Sequence, residues 1–203
     1  MLHYETIDQP TLALLKKLQA AAEFASLRLV GGTALALQIG HRKSVDIDLF
    51  GQLDSDEIQV SAILNTCGKV TTLSKSQNIG VYFIDGIKVD IVNYPYPWLN
   101  DAVSQDGLLL AGKQDIAAMK LAAITNRGSK KDFIDIYFLF KQFTLNEMLA
   151  FYREKYQDGA EFLVLKSLTY FDDAENEPFP VMLQPVAWEQ VKQIITEAVE
   201  NCC

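Results

Sequence analysis

Apolar positions along the chain switch between two periods. In "DQPTLALLKKLQAAAEFA", residues 8–25, Leu12, Leu15, Leu18 and Ala22 lie three or four apart. That is the spacing of one helical face, with Asp8 as a cap and Pro10 near the first turn. "LRLV" then reads as a short strand, "GTALALQIG" as a short helix stopped by Gly40, and "SVDIDLF" as a strand. "DSDEIQVSAILNTCG" predicts a helix, with Asp54 and Glu57 as its capping box and Gly68 as its stop. "KVTTLSK" and "NIGVYFIDGIKVDIVNY" are strand-like, the second folded back at Asp85-Gly86. After "PYPW" and a short strand in "GLLLA" the period turns helical. The helices are "KQDIAAMKLAAITNRG", "SKKDFIDIYFLFKQF", "TLNEMLAFYREKY" with a capping box at Thr144 and Glu147, "AEFLVLKSLTYF" and "PVAWEQVKQIITEAVEN". Phe138, Phe140, Phe143, Tyr152, Phe162, Tyr170 and Trp188 recur at helical spacing and are expected in the core. The pattern predicts an α+β fold: a mixed-sheet region over 1–111, then a helical region over 112–203, the two separate or packed as one unit.

The strand "SVDIDLF" breaks the pattern. Strand side chains alternate, so Asp46 and Asp48 share one face, while Val45, Ile47 and Leu49 turn toward a core. Two like charges so placed repel unless a cation sits between them. Mg2+ or Mn2+ suits this pair, because hard cations take carboxylate oxygens and keep water and phosphate as other ligands. Asp90 in "GIKVDIVNY" is a lone acid between Val89 and Ile91 and would be a third ligand. Three such acids can hold two metals, which activate a hydroxyl and stabilise a leaving pyrophosphate. Upstream, Gly31-Gly32 ends a strand and opens a helix, where backbone N–H groups can approach phosphate. Thr33 adds a hydroxyl donor, and Arg42 and Lys43 could meet triphosphate charge. Each part has a plainer alternative: a tight turn for the glycines, a solvated face for Asp46 and Asp48, and a pair with Lys88 for Asp90. His41 reads as a surface residue and Asp85 as a turn residue.

Composition narrows the setting. The chain has 203 residues, 49% hydrophobic and 22% charged, the balance of a soluble globular protein. No run approaches the ~20 apolar residues of a membrane span, and the N-terminus does not read as a secretory signal. Three cysteines, Cys67, Cys202 and Cys203, are too few for a disulfide framework and point to a reducing, cytoplasmic compartment. The terminal Cys-Cys pair reads as an incidental tail. Net charge is −8, which excludes a uniformly basic nucleic-acid coat. From Phe151 onward, four Lys or Arg stand against ten Asp or Glu, a local −6. Between Lys113 and Lys131 five cations, Lys113, Lys120, Arg127, Lys130 and Lys131, stand against Asp115 alone. An anionic ligand is expected at that local +4.

The order strand, Gly-Gly-Thr, helix, Asp-x-Asp strand, then a lone Asp about forty residues on resembles the polymerase-beta-type nucleotidyltransferase superfamily. More narrowly, "GGTALALQIGHRKSVDIDLF" together with "DIAAMKLAAITNRGSKKDFIDIYFLF" resembles the AbiEii/AbiGii toxin-type nucleotidyltransferases. The likeness spans about residues 28–140, in two separated blocks. It implies a nucleotidyltransferase fold with a helical C-terminal region and metal-dependent use of an NTP. For relatives it also implies an RNA acceptor, tRNA included, and a toxin paired with an antitoxin. The glycine turn ends in Gly-Thr where the family has Gly-Ser, which keeps the hydroxyl. The chain also reads as short for the group, so its acceptor-binding part is expected to be reduced or different.

In the second block Lys120 lies on a helix face among Ala117, Met119, Leu121, Ala122 and Ala123. Its chemistry alone reads as a lysine that snorkels; the resemblance implies that it holds nucleotide phosphate. Arg127, two turns on, shares nearly the same face. Asp132 reads as a first-turn acid that complements the helix dipole. Asp135, among Phe133, Ile134, Ile136 and Tyr137, needs a partner, and Lys120 or Arg127 is the natural one. Asp135 is expected to orient Lys120 or help activate the acceptor, an interhelix salt bridge being the alternative. The reading is an enzyme. Asp46, Asp48 and Asp90 hold metal, Gly31, Gly32 and Thr33 cradle triphosphate, and Arg42, Lys120 and Arg127 neutralise it. The competing readings are a nucleotidyltransferase that modifies a protein hydroxyl, as in AMPylation, and a non-catalytic binding module on the same fold. Tyr94, Tyr96 and Trp98 of "YPYPW" could stack on a base, with turn packing as the alternative.

Overall fold

The structure is a computed structural model. It describes residues 1–202, so the expectation for Cys203 lies outside the described residues. Contacts divide the chain into two compact units, residues 1–96 with 101–111, and residues 97–100 with the chain from Gly112 onward.

The first unit carries a mixed seven-stranded sheet. Its strands are β1 (Arg28–Leu29), β2 (Ile47–Gly51), β3 (Val70–Lys75), β4 (Ile79–Ile84), β5 (Ile87–Asn93), β6 (Val103–Gln105) and β7 (Leu108–Leu110). They lie in the order β3-β4-β5-β2-β1-β7-β6. β2 runs parallel to β5, and β1 parallel to β7. The Asp85-Gly86 hairpin joins β4 to β5, with both residues at positive φ, 49° and 84°. Asp106-Gly107 repeats the device at 55° and 78° and turns β6 into β7. β6 was not expected, because "VSQ" offers a single apolar position. On β2 and β5 the side chains of Ile47, Leu49 and Val89 are fully buried and Ile91 nearly so. Val45 is 55% exposed, not turned to the core as its alternation predicted, because the strand begins only at Ile47.

Three helices complete this unit: α1 (Gln9–Gln19), α2 (Gly31–Ile39) and α3 (Glu57–Cys67). Asp8 caps α1 by accepting the Thr11 N–H at 2.8 Å. α1 stops at Gln19, short of the predicted run, where the Gln19 amide exchanges hydrogen bonds with the Leu109 backbone of β7. A 3-10 turn, Ala22–Phe24, follows and buries Phe24. α2 closes on Gly40 at φ 66°, a left-handed cap. The box that starts α3 is Asp56 with Gln59, not Asp54 with Glu57. The Asp54 carboxylate instead accepts from the Gln52 amide.

The second unit is helical: α4 (Lys113–Asn126), α5 (Lys130–Leu139), α6 (Leu145–Lys155), α7 (Glu161–Leu168), α8 (Asp172–Glu175) and α9 (Trp188–Glu200). Thr144 and Glu147 form the capping box of α6. Ile116, Leu121, Phe133, Met148, Val164 and Val191 are fully buried. Phe138 and Tyr152 join the core, but Phe162 and Tyr170 are 79% and 53% exposed. Val164 and Leu168 take the inner face of α7, and the helix ends before Tyr170. Residues 97–100 are held here by Asp115, which is fully buried and accepts from Leu99 N, Asn100 N and Lys155 Nζ. Lys155 also donates to the Pro97 carbonyl and lies 4.6 Å from the Trp98 ring centre. Trp98 therefore packs on an ammonium. No helix among the described residues is long and apolar enough to cross a membrane.

Candidate active site

Asp48 and Asp90 are register partners on β2 and β5. In parallel strands such partners project from the same face of the sheet. Ile47 and Leu49, like Val89 and Ile91, fill the opposite face, and burying them fixes which way the two acids point. Asp46 lies just before β2, two residues from Asp48. Asp90 is held on one side only. Its Oδ2 accepts from Lys88 Nζ at 2.7 Å, while its Oδ1 is buried with no hydrogen-bond partner. A carboxylate oxygen buried without a donor is costly, and a metal ion is one group that this oxygen could take. Among the described residues no three His, Cys, Asp or Glu side chains are gathered closely enough to hold an ion as they stand.

The glycine turn lies directly against these acids. Gly31 has φ +68°, and a β-carbon there would collide with Asp48 Oδ2. The Val30 N–H donates to the Asp48 carbonyl at 2.9 Å, fixing the turn to β2. Thr33 is buried, and its hydroxyl is turned to the Asp46 carbonyl and the Ser44 hydroxyl. It is thus placed to hold the Asp46 peptide, a different use from the phosphate donor expected of it. Gly32 follows within the first turn of α2. Arg42 is buried, with Nη1 donating to the Lys43 carbonyl at 3.0 Å. His41, expected at the surface, is fully buried. Lys43 is exposed and donates to the Glu5 carbonyl.

In the helical unit, α4 and α5 share a buried ion cluster. Lys120 Nζ lies 2.7 Å from Asp132 Oδ1 and 2.5 Å from Asp135 Oδ2. Arg127 Nε donates to Asp132 Oδ2 at 3.1 Å, and so does the Ser129 hydroxyl. Asp132 and Asp135 are fully buried and Lys120 nearly so; the Arg127 side chain is 61% exposed. Burial pushes the Asp132 carboxyl up, but Lys120 and Arg127 beside it, with bonds from Lys120 and Ser129, hold it well below the usual carboxylate range. Asp132 is therefore the centre of the cluster and more than a helix-dipole acid, a role its position in a first turn concealed. Two of the five cations behind the local +4 of the sequence are engaged inside the fold. Lys120 is enclosed by acids, and buried Lys130 donates to the Glu175 and Glu177 carbonyls.

The family model described as "Nucleotidyl transferase AbiEii toxin, Type IV TA system" matches residues 13–200. An uncharacterized protein of Aquifex aeolicus (strain VF5) is 35% identical over 179 residues, covering 85% of this chain and 86% of that protein. JHP933 from Helicobacter pylori has the same fold, with a TM-score of 0.64 at 18% identity, covering 95% of this chain and 88% of that one. MenT4, a nucleotidyltransferase toxin from Mycobacterium tuberculosis, superposes with a TM-score of 0.61 at 15% identity, covering 93% and 81% of the two chains. The chain spans most of the length of each, so it is not markedly short beside them. An acid pair in register, a glycine turn pressed on one of its members and a family match over nearly the whole chain lead to one conclusion: the chain belongs to the AbiEii nucleotidyltransferase toxin family and is a nucleotidyltransferase.

Proposed function

We propose that the protein transfers a nucleoside monophosphate from an NTP to a hydroxyl of an RNA end, tRNA included, in a metal-dependent reaction opposed by a cognate antitoxin. The observation that carries this reading is the in-register pair Asp48 and Asp90, with a buried oxygen of Asp90 that lacks a donor. Asp46, Asp48 and Asp90 would hold Mg2+ or Mn2+. The bound ions would stabilise charge on the departing pyrophosphate and lower the pKa of the attacking hydroxyl. The acceptor oxygen forms a bond to the α-phosphorus, the bridging bond to the β-phosphate breaks, and pyrophosphate leaves. Asp90 takes the hydroxyl proton. Backbone N–H groups at Gly31 and Gly32 meet phosphate oxygens at the start of α2. Thr33 holds the Asp46 peptide in place. Arg42 adds positive charge beside the acid strand, while Lys120 and Arg127 of the helical unit are paired with Asp132.

A protein hydroxyl is the second acceptor to test, because Lys120 and Lys130, two of the five cations between residues 113 and 131, are engaged inside the fold. Incubation with each labelled NTP and either total RNA or lysate protein separates the two. Label is expected in RNA, and Asp48→Asn and Asp90→Asn are each expected to lower transfer at least about a hundredfold. Transfer that persists in both variants would remove the acid pair from the chemistry.

A further inference from the structure

Tyr94 and Tyr96, in the loop after β5, have no part in the reaction described above. Their rings continue a row that starts on the sheet. Phe50 lies two residues beyond Asp48 on β2, so it projects from the same face, about 7 Å further along the strand. Its ring centre is 5.3 Å from that of Tyr94, and the Tyr94 ring centre is 5.1 Å from that of Tyr96. The Tyr94 N–H donates to the Gly51 carbonyl at 2.9 Å and ties the loop to the end of β2. Exposure rises along the row: Phe50 and Tyr94 are half-buried, and Tyr96 is 45% exposed. An exposed ring by itself is ordinary. This one ends a row that begins beside Asp48.

The register gives the row a direction. β1 runs antiparallel to β2, with Arg28 opposite Phe50 and Leu29 opposite Leu49. The Val30 N–H then reaches the Asp48 carbonyl, and Gly31 follows. Along β2, the glycine turn and Phe50 therefore lie on opposite sides of Asp48. In phosphoryl transfer the attacking and leaving oxygens are roughly in line across the phosphorus. With pyrophosphate leaving at the glycine turn, the attacking hydroxyl arrives from the side of Phe50. We propose that Phe50, Tyr94 and Tyr96 receive the 3′ end of a single-stranded RNA acceptor. The terminal base lies nearest Phe50, and the base behind it stacks on Tyr96. Stacking of this kind tolerates any base, because every base has a π-face. The inference rests on the RNA-acceptor reading given above, and on phosphate contact at the glycine turn.

Binding without NTP tests it apart from turnover. A short single-stranded RNA carries a fluorescent purine analogue either next to its 3′ end or in mid-strand. Stacking on a tyrosine quenches the analogue. Wild type and Tyr96→Phe are expected to quench the probe near the end and not the one in mid-strand. Tyr96→Ala is expected to leave both bright and to bind the RNA about tenfold more weakly, the loss of one stacked base. Tyr96 is the ring to remove because it is exposed, so its loss leaves the fold intact. Quenching kept in Tyr96→Ala, equal quenching of both probes, or none with any of the three proteins overturns the row. Labelled NTP then separates the causes. Label entering RNA keeps the RNA-acceptor reading without the row, and label entering lysate protein alone overturns that reading too.

Discussion

At Gly31 the backbone has φ +68°, and the Asp48 carboxylate lies where a β-carbon would stand. Two demands coincide at that residue, a left-handed turn and room for the acid, and only glycine meets both. Gly31→Ala is expected to lower kcat/KM for nucleotide transfer about a hundredfold, because it displaces Asp48. Its Tm should fall by only a few degrees, since the strain is worth about 1–2 kcal/mol. Gly86→Ala is the control. It also has positive φ, 84°, but nothing lies within 4 Å of an added β-carbon. It should show the same small loss of Tm with transfer unchanged. A Gly86 variant as inactive as the Gly31 one would mean that general strain, not the approach to Asp48, explains the loss. The Gly-Gly pair stood out in the sequence, but which glycine touches the acid did not. That depends on the register that sets Val30 against Asp48. Buried His41 was misread for a similar reason, since no period in "GHRKS" shows which way each side chain turns.

Elements were legible where one face alternates with another and where a cap is local. The hairpin at Asp85-Gly86, the stop at Gly40 and the Thr144/Glu147 box all depend on neighbours within a few residues. Pairing between elements was not legible. Nothing local to "DIDLF" and "KVDIV" says that Asp48 meets Asp90. Nor does "KKDFID" show that Lys120 reaches Asp132 and Asp135 together. In that cluster two buried carboxylates depend on one buried ammonium. Lys120→Met is expected to destabilise by about 3–5 kcal/mol, a Tm fall of roughly 6–20 °C. Loss of transfer with Tm intact would instead assign Lys120 to substrate alone. Asp132 sets the acid limit. Its carboxyl is depressed, so its ion pairs stabilise the fold fully above the ordinary carboxylate pKa of about 4. That stability is lost as pH falls below this value toward the folded-state pKa. In urea unfolding, the gap between wild type and Asp132→Asn should be constant from pH 7 to 5 and narrow below about pH 4. A gap that persists undiminished at the lowest pH would mean that Asp132 does not carry the charge assigned to it.

Across the whole molecule, charge limits what kind of acceptor contact is available. Net charge is −8, and the last part of the chain from Phe151 holds an excess of six acids. Two of the five cations in the stretch between Lys113 and Lys131 are engaged inside the fold. Lys120 is enclosed by Asp132 and Asp135, and Lys130 by the Glu175 and Glu177 carbonyls. Of its side chains, Arg127 is well exposed while also bonded to Asp132. On the reading proposed above, an RNA acceptor is held by its end, through the site itself, and not by a coat of cations along its backbone. The slope of log KM for an RNA acceptor against log salt is therefore expected to stay below about 2, equivalent to two or three neutralised phosphates of a single strand. A backbone-tracking surface with six to ten phosphate contacts gives a slope of about 4–7 on the same scale. Transfer rates at sub-saturating RNA, measured from about 50 to 200 mM salt, decide between them. A steep slope would point to a basic surface that tracks the acceptor's backbone. A shallow one would agree with an enzyme that recognises the reactive end of its acceptor and little of the strand behind it.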